Sequence, residues 1–384
     1  MQAGVGLSDS ADAREAVEQA VGQALAQAGA ASADVALLFA TPGHSDAIGP
    51  LLAAAGDALG SHAIVGATAH GVIGDGREAE GRSGLAVAAF AGLDAEPFLL
   101  TGLDPSAPRV ADEILARLGG EARAEDLVVL LPDPREVPLL AVLDDVRERL
   151  GPAQVVGAGA ADPVWDRPLQ WCDREVESGA LAGVVLRGER APRIGVTQAC
   201  RPVTEPFTVT RSQGHWILEL DGRPALEVYR EAARGPLADD LRRAAGFVLA
   251  ALPVDPDAAA PLLPGGYRVR NVAGFALEEQ AFAVPDSVAQ GDRLALAVRD
   301  PESARSDMKE MLAGLAGGAP RAGLYFDCCA RGESFFGVSG LEAGYLSQAF
   351  GDLPLAGMFG SCEIGPVGGR PELLTYTGVL ALLD

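Results

Sequence analysis

Two short segments near the C-terminus of this 384-residue chain carry side chains that could bind or react. Cys328 and Arg331 belong to the first segment, and Phe359 and Glu363 belong to the second. An arginine presents a planar fork of donors to a carboxylate, and a glutamate offers the counterpart to an ammonium group. With Phe359 as an apolar wall, this set would suit a zwitterion such as an amino acid. The alternative is an Arg331–Glu363 ion pair that ties two loops together without any ligand.

The cysteines allow three interpretations. The five are scattered without CxxC spacing, which is typical of free thiols in a reducing cytosol, and small buried hydrophobes are the commonest case. Cys328 becomes a candidate nucleophile if Arg331 lowers the pKa of its thiol, but cysteine catalysis normally uses a histidine base. The adjacent pair Cys328 and Cys329 would chelate a metal poorly, and no histidine is close in sequence. We therefore favour a binding protein over an enzyme, with no metal and no cofactor.

The two segments follow strands of a pattern that occurs three times along the chain. Each copy reads as a strand, a helix, a strand ending in glycine, a glycine-bearing loop and an apolar strand. The copies cover residues 34–90, 127–186 and 323–382. Functional residues usually lie on the loops that follow such strands, and the third copy has the densest polar set there. If its first two strands are neighbours, the two segments meet at one edge of a sheet.

Hydrophobic periodicity and turn residues predict the fold class. Apolar residues at helical spacing predict helices near 10–28, 45–59, 137–150, 237–250 and 301–316. Several strands come in consecutive pairs, and residues 207–218 read as a hairpin. We expect an α+β (mixed α/β) protein with two domains of mixed β-sheets flanked by helices, built on a repeated β-α-β-β unit. The domains are expected to span residues 1–200 and 201–384.

Composition excludes several classes of function. The formal net charge of −23 argues against nucleic acid, because phosphate binding needs clustered Lys and Arg. No apolar run reaches the roughly 18 residues of a membrane span, and the N-terminus has no secretion signal, so we expect a cytoplasmic protein. The glycine loops 71–76 and 365–369 lack the spacing of phosphate-binding loops and read as turns.

Several short motifs, in their order and spacing, resemble the FIST family over essentially the whole chain. They are Val65–Thr68, Gly71–Gly74, Gly157–Ala160, Gly195–Pro202, Glu219–Leu226, Arg270-Asn271, Arg299-Asp300, Phe326–Gly332 and Glu363–Pro366. The sequence departs from the pattern at Cys362, where similar sequences carry glycine. That difference adds a third thiol to the region.

The resemblance implies an intracellular sensor in bacterial signal transduction, with FIST N-terminal and C-terminal domains. Its implied ligand is a small molecule, and amino acids are among the proposed ligands. It adds Gly365, Arg201 and Asn271 to the ligand-binding candidates Cys328, Arg331, Phe359 and Glu363. Arg201 and Asn271 either hold the two halves together or line an interdomain cleft.

Two further hypotheses stay open beside the sensor. One is a cysteine-dependent enzyme or redox-active protein that uses Cys328. The other is an interaction scaffold whose acidic surface meets a basic protein partner, and its binding would depend strongly on salt. The sequence shows no output segment, so a sensor of this kind would act through a separate signalling protein.

Overall fold

The computed structural model describes residues 1–106, 108–164, 167–233, 237–255 and 261–384. Strands hold 38% of the chain and helices 25%, with several mixed sheets, which confirms the α+β class. The chain forms two compact units, and both are discontinuous in sequence. The first comprises residues 1–196, 309–373 and 377–384, and the second comprises residues 197–308 and 374–376. The predicted division into domains of residues 1–200 and 201–384 stays a prediction.

The described residues of the first unit contribute to three six-stranded sheets. The first sheet has the spatial order β1 (Gln2–Ser8), β6 (Leu85–Ala91), β2 (Val35–Ala40), β3 (Ile64–Thr68), β10 (Gln170–Cys172), β11 (Glu175–Glu177). The second has the order β7 (Asp94–Leu100), β12 (Leu181–Arg187), β8 (Asp126–Pro132), β9 (Gln154–Ala158), β25 (Glu363–Val367), β26 (Arg370–Leu374). The third has the order β13 (Arg193–Gln198), β27 (Thr377–Leu383), β23 (Ala322–Cys328), β24 (Leu355–Gly360), β4 (Gly71–Gly74), β5 (Arg77–Glu80).

Each of these sheets has a parallel pair of strands at its centre. The pairs are β2 with β3, β8 with β9, and β23 with β24. A parallel pair needs a crossover, and helices lie between the paired strands in sequence. The first strand of each pair also has an antiparallel neighbour, which is β6, β12 or β27.

A hairpin from a different part of the chain completes each sheet. The β4–β5 hairpin pairs with β24, the β10–β11 hairpin pairs with β3, and β25 pairs with β9. The exchange is cyclic. The first sheet receives its hairpin from the part of the chain that forms the second sheet, the second sheet receives one from the part that forms the third, and the third receives one from the part that forms the first. The three sheets are therefore bound into one unit by backbone hydrogen bonds.

A glycine in the second strand of each parallel pair faces the backbone of the first strand. A Cβ atom there would lie 1.7, 1.9 or 2.1 Å from a carbonyl oxygen of the neighbouring strand. The glycines and the residues they face are Gly66 with Leu38, Gly157 with Leu130, and Gly357 with Tyr325. No side chain fits at such distances, which explains the glycine near the end of each second strand.

Helices cover the sheets and supply much of the apolar core. Asp12 caps α1 (Ala13–Ala28) by accepting a hydrogen bond from the N–H of Glu15, and Gly29 ends the helix in the left-handed conformation. A 3₁₀ turn at Pro42–Ala47 leads into α2 (Ile48–Leu59). The helices are α1 (Ala13–Ala28), α2 (Ile48–Leu59), α3 (Val110–Arg117), α4 (Leu139–Arg149), α5 (Ala225–Ala233), α6 (Leu241–Ala244), α7 (Pro301–Gly314), α8 (Glu333–Phe336), α9 (Leu341–Phe350). Among the described residues, no helix combines the length and the hydrophobicity that crossing a membrane requires.

The second unit is built on a nine-stranded sheet. Its main path is β19 (Tyr267–Arg270), β18 (Val248–Pro253), β22 (Arg293–Arg299), β15 (Phe207–Gln213), β16 (Trp216–Leu220), β21 (Ala281–Ala283), β20 (Gly274–Ala276). Two short strands pair off this path, β14 (Cys200–Pro202) with β22 and β17 (Arg223–Pro224) with β16. The β15–β16 pairing confirms the predicted hairpin.

The helix predicted at 237–250 is wrong. Only Leu241–Ala244 is helical, and Val248–Pro253 is a strand with neighbours on both sides. That short apolar run is almost entirely buried, and periodicity alone cannot separate a buried strand from a buried helix.

Candidate functional site

The two predicted segments do meet at one edge of a sheet. Cys328 ends β23 and lies opposite Gly360, which ends β24. The N–H of Cys329 donates to the carbonyl oxygen of Gly360 at 2.8 Å, which holds the loop after β23 against the end of β24. Arg331, Phe359 and Glu363 are fully buried, and Cys328 is 4% exposed. These four candidates therefore belong to the interior of the first unit.

Arg331 is held by two carboxylates that the sequence did not single out. Its Nε lies 2.9 Å from Asp327 Oδ1 and 3.1 Å from Glu342 Oε1, and its Nη2 also donates to Glu342 Oε1. Burial opposes the charge of Arg331, but Glu342 and Asp327 outweigh that effect and raise the pKa of the guanidinium. The Arg331–Glu363 ion pair considered from the sequence is not formed among the described residues, because Asp327 and Glu342 take its place.

Glu363 lies in the same interior and is bound to β27. Its Oε2 accepts hydrogen bonds from the N–H of Thr377 at 3.1 Å and from the Thr377 hydroxyl at 2.8 Å. Burial and the neighbouring Cys328 thiol raise the pKa of Glu363 well above its usual range, and the bonds from Thr377 offset this only in part. Glu363 therefore retains its proton to a higher pH than an exposed glutamate does.

Asp327 connects Arg331 electrostatically to Glu363. Burial, the negative charge of Glu342 and a hydrogen bond with Glu342 raise the pKa of Asp327, against the pull of Arg331. The Tyr325 hydroxyl completes the set by donating to Glu342 Oε2 at 2.7 Å. We call Tyr325, Asp327, Arg331, Glu342 and Glu363 the Arg331 cluster.

Among the described residues, three buried atoms of the Arg331 cluster have no hydrogen-bond partner. They are Asp327 Oδ2, Arg331 Nη1 and Glu363 Oε1. Buried polar atoms in native proteins are almost always paired with protein or water, so three unpaired atoms in one cluster call for an external partner. Two of them are acceptors when ionised and one is a donor, which matches the chemistry of a small polar guest or ordered water.

The thiols beside the cluster differ in their surroundings. Burial and Glu363 raise the pKa of Cys362 to about 12, so this thiol stays protonated. Cys329 is only partly buried, and a hydrogen bond from the Cys328 thiol lowers its pKa against the effect of burial. The lowered pKa and partial exposure give Cys329 thiolate character, although the sequence pointed to Cys328 as the nucleophile. Among the described residues, no three histidine, cysteine or acidic side chains are arranged to hold a metal ion.

The remaining predicted residues occupy different settings. Gly365 is buried in β25, two residues after Glu363 on the same strand. Arg201 and Asn271 belong to the second unit and are exposed. Arg201 pairs with Asp300 at 3.0 Å, and Asn271 accepts a hydrogen bond from the Tyr376 hydroxyl at 2.6 Å. A ligand-binding role for these three residues stays a prediction.

Acidic residues of the β4–β5 hairpin support the helices around the Arg331 cluster. Glu78 accepts hydrogen bonds from the N–H groups of Gly340 at 3.0 Å and Ala343 at 2.9 Å, at the start of α9. Glu80 accepts one from the N–H of Glu333 at 2.9 Å, at the start of α8, and lies 3.6 Å from His70. Burial raises the pKa of Glu78, whereas a hydrogen bond from His70 lowers that of Glu80. Sequence spacing gives no signal for these contacts, since they join segments about 260 residues apart.

Four cavities in the described part of the chain have linings that include none of the four buried candidates. One of about 320 Å³ lies where α9 ends, and a shallower one of about 500 Å³ adjoins the same segment. A polar hollow of about 670 Å³ lies beyond the end of β8 and includes Arg135 and Arg167. A fourth, of about 240 Å³, belongs to the second unit.

Comparison with known proteins gives two family matches that together span most of the chain. A model of the FIST N domain matches residues 34–223, and a model of the FIST C domain matches residues 225–366. An uncharacterized protein of Mycobacterium tuberculosis strain H37Rv is 31% identical over 387 residues, covering 100% of this chain and 99% of that protein. An uncharacterized protein of Mycobacterium bovis is 30% identical over 386 residues, covering 100% of this chain and 98% of that protein.

A solved structure of cyanuric acid hydrolase from A. caulinodans is also similar, with 13% identity and a TM-score of 0.28. The match covers 48% of this chain and 69% of the hydrolase. At that TM-score the likeness supports no argument about fold or activity.

Proposed function

Because this chain belongs to the FIST family, we propose that it is an intracellular sensor that binds a small metabolite, with amino acids as the ligand class. FIST domains are associated with sensing in signal transduction, and they imply binding of a small ligand. In this role the protein would act in the cytoplasm and would pass its signal to a separate signalling protein. The site proposed is the interior around Cys328, Arg331, Phe359 and Glu363.

The unpaired atoms of the Arg331 cluster carry this proposal. An ammonium group would donate to Asp327 Oδ2 and Glu363 Oε1, and a carboxylate would accept from Arg331 Nη1. The buried ring of Phe359 is close in sequence to Glu363 and would contact an apolar side chain of the ligand. Because Arg331 already spends two nitrogens on Asp327 and Glu342, the ligand carboxylate would use only the remaining edge of the guanidinium.

Proton release would accompany binding at this site. The pKa values of Asp327 and Glu363 are raised in the unliganded protein, and burial is the largest cause for both. An incoming ammonium stabilises the ionised carboxylates and so lowers those pKa values. Affinity would therefore increase as pH rises toward the raised pKa values of Asp327 and Glu363, until the ligand amine itself loses its proton.

Calorimetric titration with the common amino acids and a metabolite panel tests the proposal. We expect saturable binding by at least one ligand and a loss of at least about tenfold in affinity for Glu363→Gln, which retains the shape of the side chain but not its charge. Arg14→Met is the control, because Arg14 is exposed and its one ion pair among the described residues is with Glu18. Absence of binding over the whole panel, or equal affinity of the wild type and Glu363→Gln, would refute the site.

A second candidate function uses a thiol. The sequence pointed to Cys328 as a nucleophile, but the partly exposed Cys329, with its lowered pKa, fits that role better. Iodoacetamide labelling near pH 7, followed by peptide mass spectrometry, distinguishes the two cysteines. We expect Cys329 to react first and the buried Cys200 of the second unit to be protected. Faster labelling of Cys328 than of Cys329 would contradict this assignment.

A further inference from the structure

We propose that the cavity at the C-terminal end of α9 is a second binding site, for an ammonium group carried on a short apolar body. We call it the α9 cavity, and its volume is about 320 Å³, within the range of small-molecule sites. It belongs entirely to the first unit, and none of the Arg331 cluster lines it. Its lining includes Ile73, Asp75, Leu346, Ser347, Phe350 and Asp352.

The floor of the α9 cavity is apolar. Ile73 from β4, Ala343 and Leu346 from α9, and Leu355 from β24 are all buried, with exposures of 1%, 1%, 3% and 9%. Phe350 is partly exposed and adds an aromatic wall at the last residue of α9. A guest in the cavity gains hydrophobic free energy chiefly by burying its own apolar body against these side chains.

The rim of the α9 cavity is electronegative. Asp352 follows the end of α9, and among the described residues its carboxylate forms no ion pair. Asp75, on the β4–β5 turn, also lines the cavity, and its Oδ2 is 3.7 Å from the half-exposed Arg77, which is a weak pairing. The carbonyl groups at the end of α9 add partial negative charge, and the last turn of the helix contains no basic residue.

An apolar floor below a negative rim selects a cation with an apolar body. An ammonium group would lie between Asp75 and Asp352 and above the face of Phe350, where cation–π attraction adds to the ionic contacts. A carboxylate would be repelled by the same groups, and a neutral hydroxyl would lack the ionic contribution. The adjoining 500 Å³ hollow shares Phe350, Asp352 and Leu353 with this cavity and leaves room for a longer body.

This inference goes beyond the sensor function and does not need it, because the site uses other side chains. The two sites share no residue, although α9 carries Glu342 of the Arg331 cluster and Leu346 of the cavity. The strand β24 likewise carries Phe359 of the proposed sensor site and Leu355 of the cavity. An amine that binds the α9 cavity would therefore bind equally well to the Glu363→Gln variant.

Titration of the full chain with three matched probes tests the α9 cavity. The probes are phenethylammonium, 2-phenylethanol and 3-phenylpropionate, measured by calorimetry and by saturation-transfer NMR. We expect saturable binding of the ammonium probe and no binding of the carboxylate. The alcohol should bind at least about fivefold more weakly than the ammonium probe, given the ionic energies of exposed pairs. Equal binding of all three probes, or of none, would overturn the proposal.

Two pairs of variants locate the binding. The double variant Asp75→Asn/Asp352→Asn should weaken phenethylammonium about tenfold, whereas the exposed Asp46→Asn should not change its affinity. Ser347→Leu should block the cavity from its wall, whereas Gln348→Leu, on the same helix but outside the lining, should leave binding intact. Unchanged affinity in the double aspartate variant, or equal losses for Ser347→Leu and Gln348→Leu, would refute the site.

Discussion

At the scale of single residues, the Arg331 cluster is a buried charge system with more acid than base. One guanidinium faces the carboxyl groups of Asp327 and Glu342, and Glu363 lies close enough to influence Asp327. Isolated buried charges are costly, so such a set reduces its charge by holding protons. The raised pKa values of Asp327 and Glu363 follow from this, and they make the interior of the first unit sensitive to pH.

Glu363 should reduce the stability of the fold as pH rises. With its folded pKa raised, the folded state binds more protons than the unfolded state between the unfolded pKa of about 4.3 and the folded pKa. The contribution is fully present below the unfolded pKa, and it is lost at up to about 1.4 kcal/mol per pH unit as pH increases through this window. We expect Glu363→Gln to show a shallower decline in unfolding free energy from pH 5 to pH 8, measured by urea denaturation.

The unfolding free energy of Glu363→Gln should still decline somewhat as pH rises, because the pKa of Asp327 is raised in the same direction. Asp46→Asn is a suitable control, since Asp46 is exposed and forms no ion pair among the described residues, and this variant should keep the wild-type slope. A variant slope as steep as that of the wild type would show that Glu363 is ionised in the folded protein.

The sequence indicated that Arg331 and Glu363 lie at the meeting ends of two strands, but it did not indicate the partners of Arg331. Arg331 and Glu363 could be found because they follow two strands whose ends meet, which is a general property of parallel pairs. Asp327 lies inside the same motif, four residues before Arg331, so that spacing was a usable signal. Glu342 lies on α9, and its approach to Arg331 depends on how that helix packs, which local spacing does not specify.

At the scale of elements, the glycines of β3, β9 and β24 determine how closely the parallel strands approach. Gly66→Ala would place a methyl group 1.7 Å from Leu38 O, and Gly357→Ala would place one 2.1 Å from Tyr325 O. The carbonyl group of the neighbouring strand cannot move away from the methyl group without breaking the hydrogen bonds between the strands. We therefore expect each variant to lose at least about 3 kcal/mol of unfolding free energy.

Gly22→Ala provides the opposite control for these variants. Gly22 lies inside α1, and nothing stands within 4 Å of an added Cβ atom there. Replacing glycine by alanine in a helix should stabilise the protein by about 0.5–1 kcal/mol. Urea denaturation of the three variants measures the expected losses and the expected gain in unfolding free energy. A Gly66→Ala protein as stable as the wild type would contradict the packing argument.

Elements with strong patterns were predicted well, and those chosen by tertiary context were not. The α1 helix and the β15–β16 hairpin were clear from periodicity and turn residues. The helix predicted at 237–250 failed because Val248–Pro253 gains hydrogen bonds from two neighbouring strands. No local signal shows that β4 pairs with β24, since its short sequence Gly71–Gly74 would suit many partners.

At the scale of the whole molecule, the first unit needs both ends of the chain. Its strands β4, β9 and β3 come from the N-terminal part, but β4 pairs with β24 and β9 pairs with β25. The second unit is formed by a segment inserted between these parts, together with residues 374–376. A sequence read from one end to the other suggests consecutive domains, because the pairing of distant strands is not visible in it.

A fragment of residues 1–200 should therefore fail to fold alone. It would lack the partners of β4 and β9, and the whole third sheet would be missing its central pair. We expect weak circular dichroism and rapid amide exchange for this fragment, and recovery of both signals when a separate chain of residues 309–384 is added. Cooperative unfolding of the 1–200 fragment by itself would show that the hairpin exchange contributes little to stability.

The cyclic hairpin exchange also affects how the protein is made. The β4–β5 hairpin leaves the ribosome roughly 280 residues before β24 does. At about 5–20 residues per second, the hairpin waits roughly a quarter of a minute to a minute for its partner. During that time its unpaired strand edge can join the wrong neighbour or another nascent chain. Biosynthesis of this protein should accordingly depend on chaperones that shield early strands, and slow translation should lower its yield.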